Sequence, residues 1–234
     1  MISIITVNYN SYDFLELMIE SLAIHSVLPY QLIVIDNSLN KQEIHKPNVH
    51  QFPMETNIGH GRGLNNGVAQ AHNLFPNSQF LMFLDIDCHI LAHNWESPFL
   101  SKMKKYDIVA GKGVPAKPIR PACMFMKKKV GETYDFRDTR NYGGHRVTPD
   151  GYDVAILAYY RMMADRVPLD FLQAKKNRYH TLNGEEWCIN GMPLVYHHWH
   201  GASLGLPCRQ ADYPEVDLLA DKQKLFSQIP WRLP

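Results

Sequence analysis

The sequence predicts an α/β domain in which a mostly parallel sheet is flanked by helices. Three observations carry that expectation. Short β-branched apolar runs alternate with segments of helical period over the first hundred residues. Asn8, Asp36 and Asp85 each sit just past the carboxyl end of one of those runs, where sheets of this kind bind ligands. A length of 234 residues suits one large domain that buries its own core without staples.

Each element follows in turn. Ile2 to Val7 is a β-branched run read as a buried strand, stopping at Asn8-Tyr9-Asn10. Asn10 and Asp13 have the spacing of a capping box, and Phe14, Leu15, Met18, Ile19 and Leu22 then share one helical face. Pro29 closes that element, Gln31 to Asp36 forms a second buried strand, and Val49 to Phe52 a weaker one. Leu64, Val68, Ala71 and Phe75 have helical spacing, and Phe80 to Leu84 is the next strong strand.

Beyond Asp87 the pattern loosens. Short strands are expected at Asp107 to Ala110 and Ala122 to Met126, followed by a Gly-, Pro- and charge-rich loop from Lys127 to Asp150. Tyr152 to Arg166 reads as a helix, Leu194 to His200 as a strand and Pro214 to Ile229 as a terminal helix. The composition shifts near residue 100, which suggests two halves, 1–100 and 101–234, of a single domain.

Composition narrows the function classes. Hydrophobic and charged contents of 45% and 20% are those of a globular protein, and a net charge of +1 gives no electrostatic case for nucleic acid. The four cysteines form no CxxC pair, which argues against a disulfide framework or zinc knuckle and suits a reducing, cytoplasmic compartment. The N-terminus lacks the pattern of a signal peptide, and no apolar run approaches the ~20 residues of a membrane span. Met124-Phe125-Met126 followed by Lys127, Lys128 and Lys129 has two readings, a peripheral contact with an anionic membrane or a solvated strand end.

The chemistry concentrates at FLMFLDIDCHI. In an extended segment Asp85 and Asp87 point the same way and repel, so they are at ease only with positive charge between them. A divalent cation, Mn2+ or Mg2+, supplies that charge and keeps substrate phosphate oxygens in its shell. The bland alternative, one Asp in a turn and one solvated, would win for an isolated D-x-D. Convergence of other polar clusters on the same sheet edge reverses that balance. NIGHGRGLNNG, Asn57 to Gly67, places glycines and Arg62 at a helix N-terminus, where free N–H groups favour anions. Asp36 has the chemistry to accept from the N3–H of a uracil or thymine ring, or simply to form a turn with Asn37. In YHHWHGAS, His198 and His200 share one strand face and His197 the other, and one imidazole would complete the metal shell begun by Asp87.

Taken in order, ISIITVNYNS, VIDNS, NIGHGRGLNNG and FLDID resemble the motifs of family 2 glycosyltransferases with the Rossmann-like GT-A fold, over about the first ninety residues. The resemblance implies transfer of a sugar from a nucleotide-diphosphate donor, a UDP- or dTDP-sugar, to a glycan or lipid-linked acceptor, with inversion. It further implies that Thr6, Val7 and Asn8 line the base pocket while Asp36 reads the base. Asn57, Gly59 and Asn65 match positions near the ribose and diphosphate. Asp85-Ile86-Asp87 is the DxD element, with Asp87 the direct metal ligand, joined by His200 or, second, His198. His60 and Leu64 depart from the family pattern, and no clear Glu-Asp pair marks the general base. Asp153 is the candidate base, with Asp150 and the Glu185-Glu186 pair as alternatives, although acids at helix starts also arise from the dipole. The rival readings are a sugar-nucleotide binder without catalysis and a DxD phosphatase of the haloacid-dehalogenase type.

Overall fold

A computed structural model describes residues 1–114, 117–137, 154–176, 184–198, 223–224 and 226–229. Strand β1 (Ile2–Asn8) runs between β2 (Tyr30–Asp36) and β4 (Phe80–Leu84), parallel to both, and β3 (Val49–Pro53) extends the block beyond β2. Strands buried on both faces read as near-continuous apolar runs rather than alternating, as β1, β2 and β4 largely do, whereas β3 is only half-buried. Helix α1 (Tyr12–His25) covers the face carrying Ile2 and Ile4, and α2 (His60–Leu74) covers the face carrying Ile5 and Ile33. The register pairs Asn8 with Asp36, so both strand ends reach the same edge. The start of α1 differs from the capping box expected at Asn10. Its cap residue is Ser11, Asn10 takes a left-handed φ of 54°, and Asn8 Oδ1 accepts the Ser11 N–H.

The remaining elements are β5 (Cys88–Ile90), α3 (Glu96–Met103), β6 (Ile108–Val114), β7 (Lys117–Lys127), α4 (Lys128–Thr133), α5 (Ile156–Ala164), β8 (Leu169–Lys176), β9 (Glu185–Ile189) and β10 (Met192–His197). All strands join one sheet in the order β3-β2-β1-β4-β7-β6-β8-β9-β10-β5. Among the described residues four strand pairs are parallel and five antiparallel. The sheet is therefore mixed: its first half is parallel as expected, and its second is antiparallel except for the parallel pair of β6 and β8. The terminal helix expected from Pro214 lies largely outside the described residues.

This order forces a curl. Strands β4 and β5 stand six places apart, about 29 Å in a flat sheet at ~4.8 Å per place. Only Asp85, Ile86 and Asp87 link them, and four Cα steps of ~3.8 Å reach about 15 Å at most. The antiparallel half must bend back until β5 and β10 approach the carboxyl end of β4. Backbone hydrogen bonds close that seam, from Asp85 N to Ala122 O at 2.9 Å and from His198 N to Asp87 O at 3.0 Å.

The Met124-Phe125-Met126 run is core, fully buried on β7, so the membrane reading fails for its apolar part. Lys127 pairs with Asp107, and Lys128 donates to the carbonyls of Phe75 and Pro76. Among the described residues no helix is long and apolar enough to cross a membrane.

Candidate active site

Asp85 and Asp87 lie in a turn rather than an extended segment, because Cys88 N donates to Asp85 O at 2.9 Å. Ile86 between them is buried in the core and anchors the turn. The two carboxylates meet different imidazoles. Asp85 Oδ1 stands 3.2 Å from His60 Nε2, at the start of α2, and Asp87 Oδ1 stands 3.6 Å from His197 Nε2, at the end of β10. Burial raises the Asp85 pKa, but the His60 and His197 imidazoles outweigh it and leave the group below its ordinary value. For His197, burial lowers the pKa, while Asp87, Glu185 and Asp85 together prevail and raise it.

Sequence reading placed His197 on the face away from the metal and favoured His200 and His198. In the structure His197 is the imidazole beside Asp87. The His198 ring stacks on Phe14 at 5.6 Å between centroids, and His200 lies outside the described residues. The curl of the sheet, invisible to strand periodicity, decides which face of β10 meets the turn. Asp87, Cys88 and His197 each bring a donor atom within 4.8 Å of the others, a span that one cation bridges. Burial, then Asp87 and Asp85, push the Cys88 thiol well above its usual range, and it donates to the Ala122 carbonyl. The cluster is compatible with a divalent ion; by donor chemistry, carboxylate and imidazole suit harder ions such as Mn2+ and the thiol softer ones.

Beyond His197 stand residues that sequence reading passed over or cast otherwise. Glu185 Oε1 lies 3.7 Å from His197 Nδ1 and 2.7 Å from the Arg120 guanidinium. Glu185 and Glu186 are buried in strand β9, not acids at a helix start. Asp150 and Asp153, the other candidate bases, lie outside the described residues.

On the nucleotide side, Asp36 is fully buried and accepts four hydrogen bonds. They come from the Asn8 side chain, the Ser38 N–H, the Tyr12 hydroxyl and the Gln51 side chain. A carboxylate has about four acceptor positions, so a base N–H would replace one of these donors. Thr6 is buried, and its hydroxyl has no hydrogen-bond partner among the described residues. Val7 sits beneath Gly63, where an added Cβ would come within 2.8 Å of it. Gly67 likewise leaves room for Ile5, so α2 lies tightly on β1. Gly59 caps α2 at φ 84°, a conformation that glycine adopts freely, and Asn57 Oδ1 accepts its N–H. Arg62 is exposed on the first turn. Asn65 donates to Asp135 at 2.6 Å and accepts the Phe136 N–H at 2.9 Å, tying α2 to the segment after α4.

Residues 3–149 match the family described as glycosyl transferase family 2. No curated protein matches the chain. Among solved structures, a similar fold occurs in residues 1–349 of TarS from S. aureus, with a TM-score of 0.55 and 15% identity over 96% of this chain and 69% of that one. A longer S. aureus TarS structure gives a TM-score of 0.52 and 14% identity over 97% of this chain and 42% of that one. At such identities the likeness is one of fold. The family match spans more than half of the sequence and runs from β1 through the DxD turn on a helix-flanked mixed sheet of the GT-A kind; this chain belongs to glycosyl transferase family 2, whose activity is sugar transfer from a nucleotide-sugar donor.

Proposed function

We propose that the chain transfers a sugar from a UDP- or dTDP-sugar to a hydroxyl of a glycan or lipid-linked acceptor, with inversion and with Mn2+ or Mg2+ held by Asp87 and His197. The observation that carries this reading is the meeting of the Asp85–Asp87 turn, the N-terminus of α2 and the end of β10 at one sheet edge. A divalent ion bound there neutralises charge that develops on the diphosphate as the glycosidic bond breaks. An imidazole donor favours Mn2+ over Mg2+, which prefers an all-oxygen shell.

The chain's own groups do the rest. First-turn amides of α2, freed from intrahelical partners, donate their N–H groups to phosphate oxygens, with Arg62 adding charge at the same helix end. Thr6, Val7, Asn8 and Asp36 form the base side of the pocket, while Asn57 and Gly59 shape the loop beside ribose and diphosphate. Asp153 removes the acceptor proton as its oxygen attacks the anomeric carbon opposite the leaving group. Residues 1–100 bind the donor and 101–234 the acceptor. The free cysteines Cys88, Cys123 and Cys188 accord with a cytoplasmic setting, with the acceptor met in solution or at the membrane surface.

Thermal-shift screening of nucleotide sugars, with and without Mn2+, tests this reading. A UDP- or dTDP-sugar should raise the melting temperature, and more so with Mn2+. A shift confined to guanine nucleotides, or no shift with any donor, would overturn the donor assignment.

A further inference from the structure

Glu185 and His197 are direct cross-strand partners on β9 and β10, so their side chains leave the sheet on the same side. Glu185 is buried, and its Oε1 accepts from the Arg120 guanidinium of β7 at 2.7 Å and lies 3.7 Å from His197 Nδ1. That nitrogen is buried with no hydrogen-bond partner among the described residues, and Glu185 is its nearby carboxylate. With Nδ1 turned to Glu185, Nε2 is left facing Asp87. Trp187, two residues along β9, forms the floor of this arrangement. Its ring stacks on His197 with centroids 6.5 Å apart, and Arg120 lies 5.9 Å above it. Room for the indole comes from Gly111 on β6, where an added Cβ would lie 2.7 Å from Trp187 Cη2.

We infer that Arg120 and Glu185 are positioning residues, which fix the ring orientation and tautomer of His197 so that Nε2 is presented to the cation at Asp87. The inference rests on the metal reading above. It also removes Glu185 from the candidate bases: a carboxylate that is buried and engaged by a guanidinium is poorly placed to take an acceptor's proton. A ligating imidazole needs its second nitrogen held by a carboxylate or carbonyl, and loss of such a partner typically costs 10–100-fold in metal affinity. Glu185 is buried and Arg120 half-buried, and taking such charges out of water is costly, so stability alone is a weak reason for the pair here.

Calorimetric titration of Mn2+ into chelator-stripped full chain tests the assignment, with Asp87→Ala, Glu185→Ala, Glu185→Gln, Arg120→Ala and Arg120→Lys compared with the unaltered protein. Glu185→Ala should weaken Mn2+ binding about 10–100-fold. Glu185→Gln, which keeps an acceptor oxygen for Nδ1–H, should recover part of that loss, and Arg120→Lys should bind more tightly than Arg120→Ala. A purely structural Glu185 would lower the melting temperature and leave the Mn2+ affinity of the folded variant unchanged. A general base would lower kcat with Mn2+ affinity intact. Either result, with Asp87→Ala unable to bind, overturns the positioning role. If Asp87→Ala binds Mn2+ normally, the metal site itself is misplaced and the underlying reading fails instead. Should Glu185→Ala not fold, Glu185→Gln and Arg120→Ala decide the matter by the same criterion: affinity within about twofold of the unaltered protein rejects the inference.

Discussion

Replacing Asp87 by Asn keeps the shape of the turn and removes the charge that faces His197 at 3.6 Å. Because its backbone carbonyl still accepts from His198 N, the seam should persist. Sugar transfer by Asp87→Asn should fall ~100-fold or more, the range seen when a group stabilising a charged transition state is lost. Near-normal turnover with an unchanged melting curve would place the metal elsewhere. Asp135 makes a different prediction, about pH. The Arg137 side chain holds its carboxyl well below the usual 3.8, at about 2, assisted by the Arg137 N–H and by Asn65. A carboxyl depressed on folding contributes stability in full above its unfolded value, and that contribution is lost as pH falls toward the folded value. The window is therefore pH 3.8 down to about 2. Asp135→Asn should flatten the loss of stability across it, as read from denaturant melts at stepped pH. A slope equal to that of the unaltered protein would show that the pair adds nothing in solution.

Elements differ in how plainly they were written in the sequence. Helix α2 depends on close approach: a methyl at Gly67 would run into Ile5 Cγ2 in the middle of the sheet. Overpacking of this kind costs ~1–3 kcal/mol, against up to ~1 kcal/mol gained from helix propensity. The close approach to Ile5 puts the cost toward the upper end, so Gly67→Ala should melt lower, by up to roughly 8 °C for a chain of this size, and a rise in melting temperature would mean the helix can slide. Strands β1, β2 and β4 were legible because burial on both faces leaves an unbroken apolar run, and crossover helices announce themselves by period. Strand β9 was not: Glu185-Glu186 looks like an acidic surface until Arg120 and His197 are brought against it. Strand β5 has only three residues, too few for any period to register. Asp85, Asp87 and the glycines of α2 were readable as a candidate site because they follow, or pack on, strands legible in the sequence. Arg120, Glu185 and His197 were not, because a mixed sheet folding back on itself leaves no local mark.

At the scale of the whole molecule, the site joins two regions far apart in sequence. Asp87 follows the parallel block, and His197 closes the last described strand of the antiparallel one. A cation held by both would bind the two regions to each other, and ligands that favour the folded state raise stability. Added Mn2+ should therefore slow amide exchange at Asp85–Cys88 and at His197–His198 together, in hydrogen-exchange mass spectrometry. Protection confined to one of the two segments would mean that the ion does not span the seam.

The three-residue link from β4 to β5 has a kinetic consequence. Strand β5 leaves the ribosome early, yet its only sheet neighbour among the described residues, β10, is made more than a hundred residues later. Contacts of such long sequence separation are slow to form, because the chain must lose loop entropy before they give anything back. The cation site proposed above, which needs both Asp87 and His197, therefore waits on one of the longest-range pairings in the described sheet.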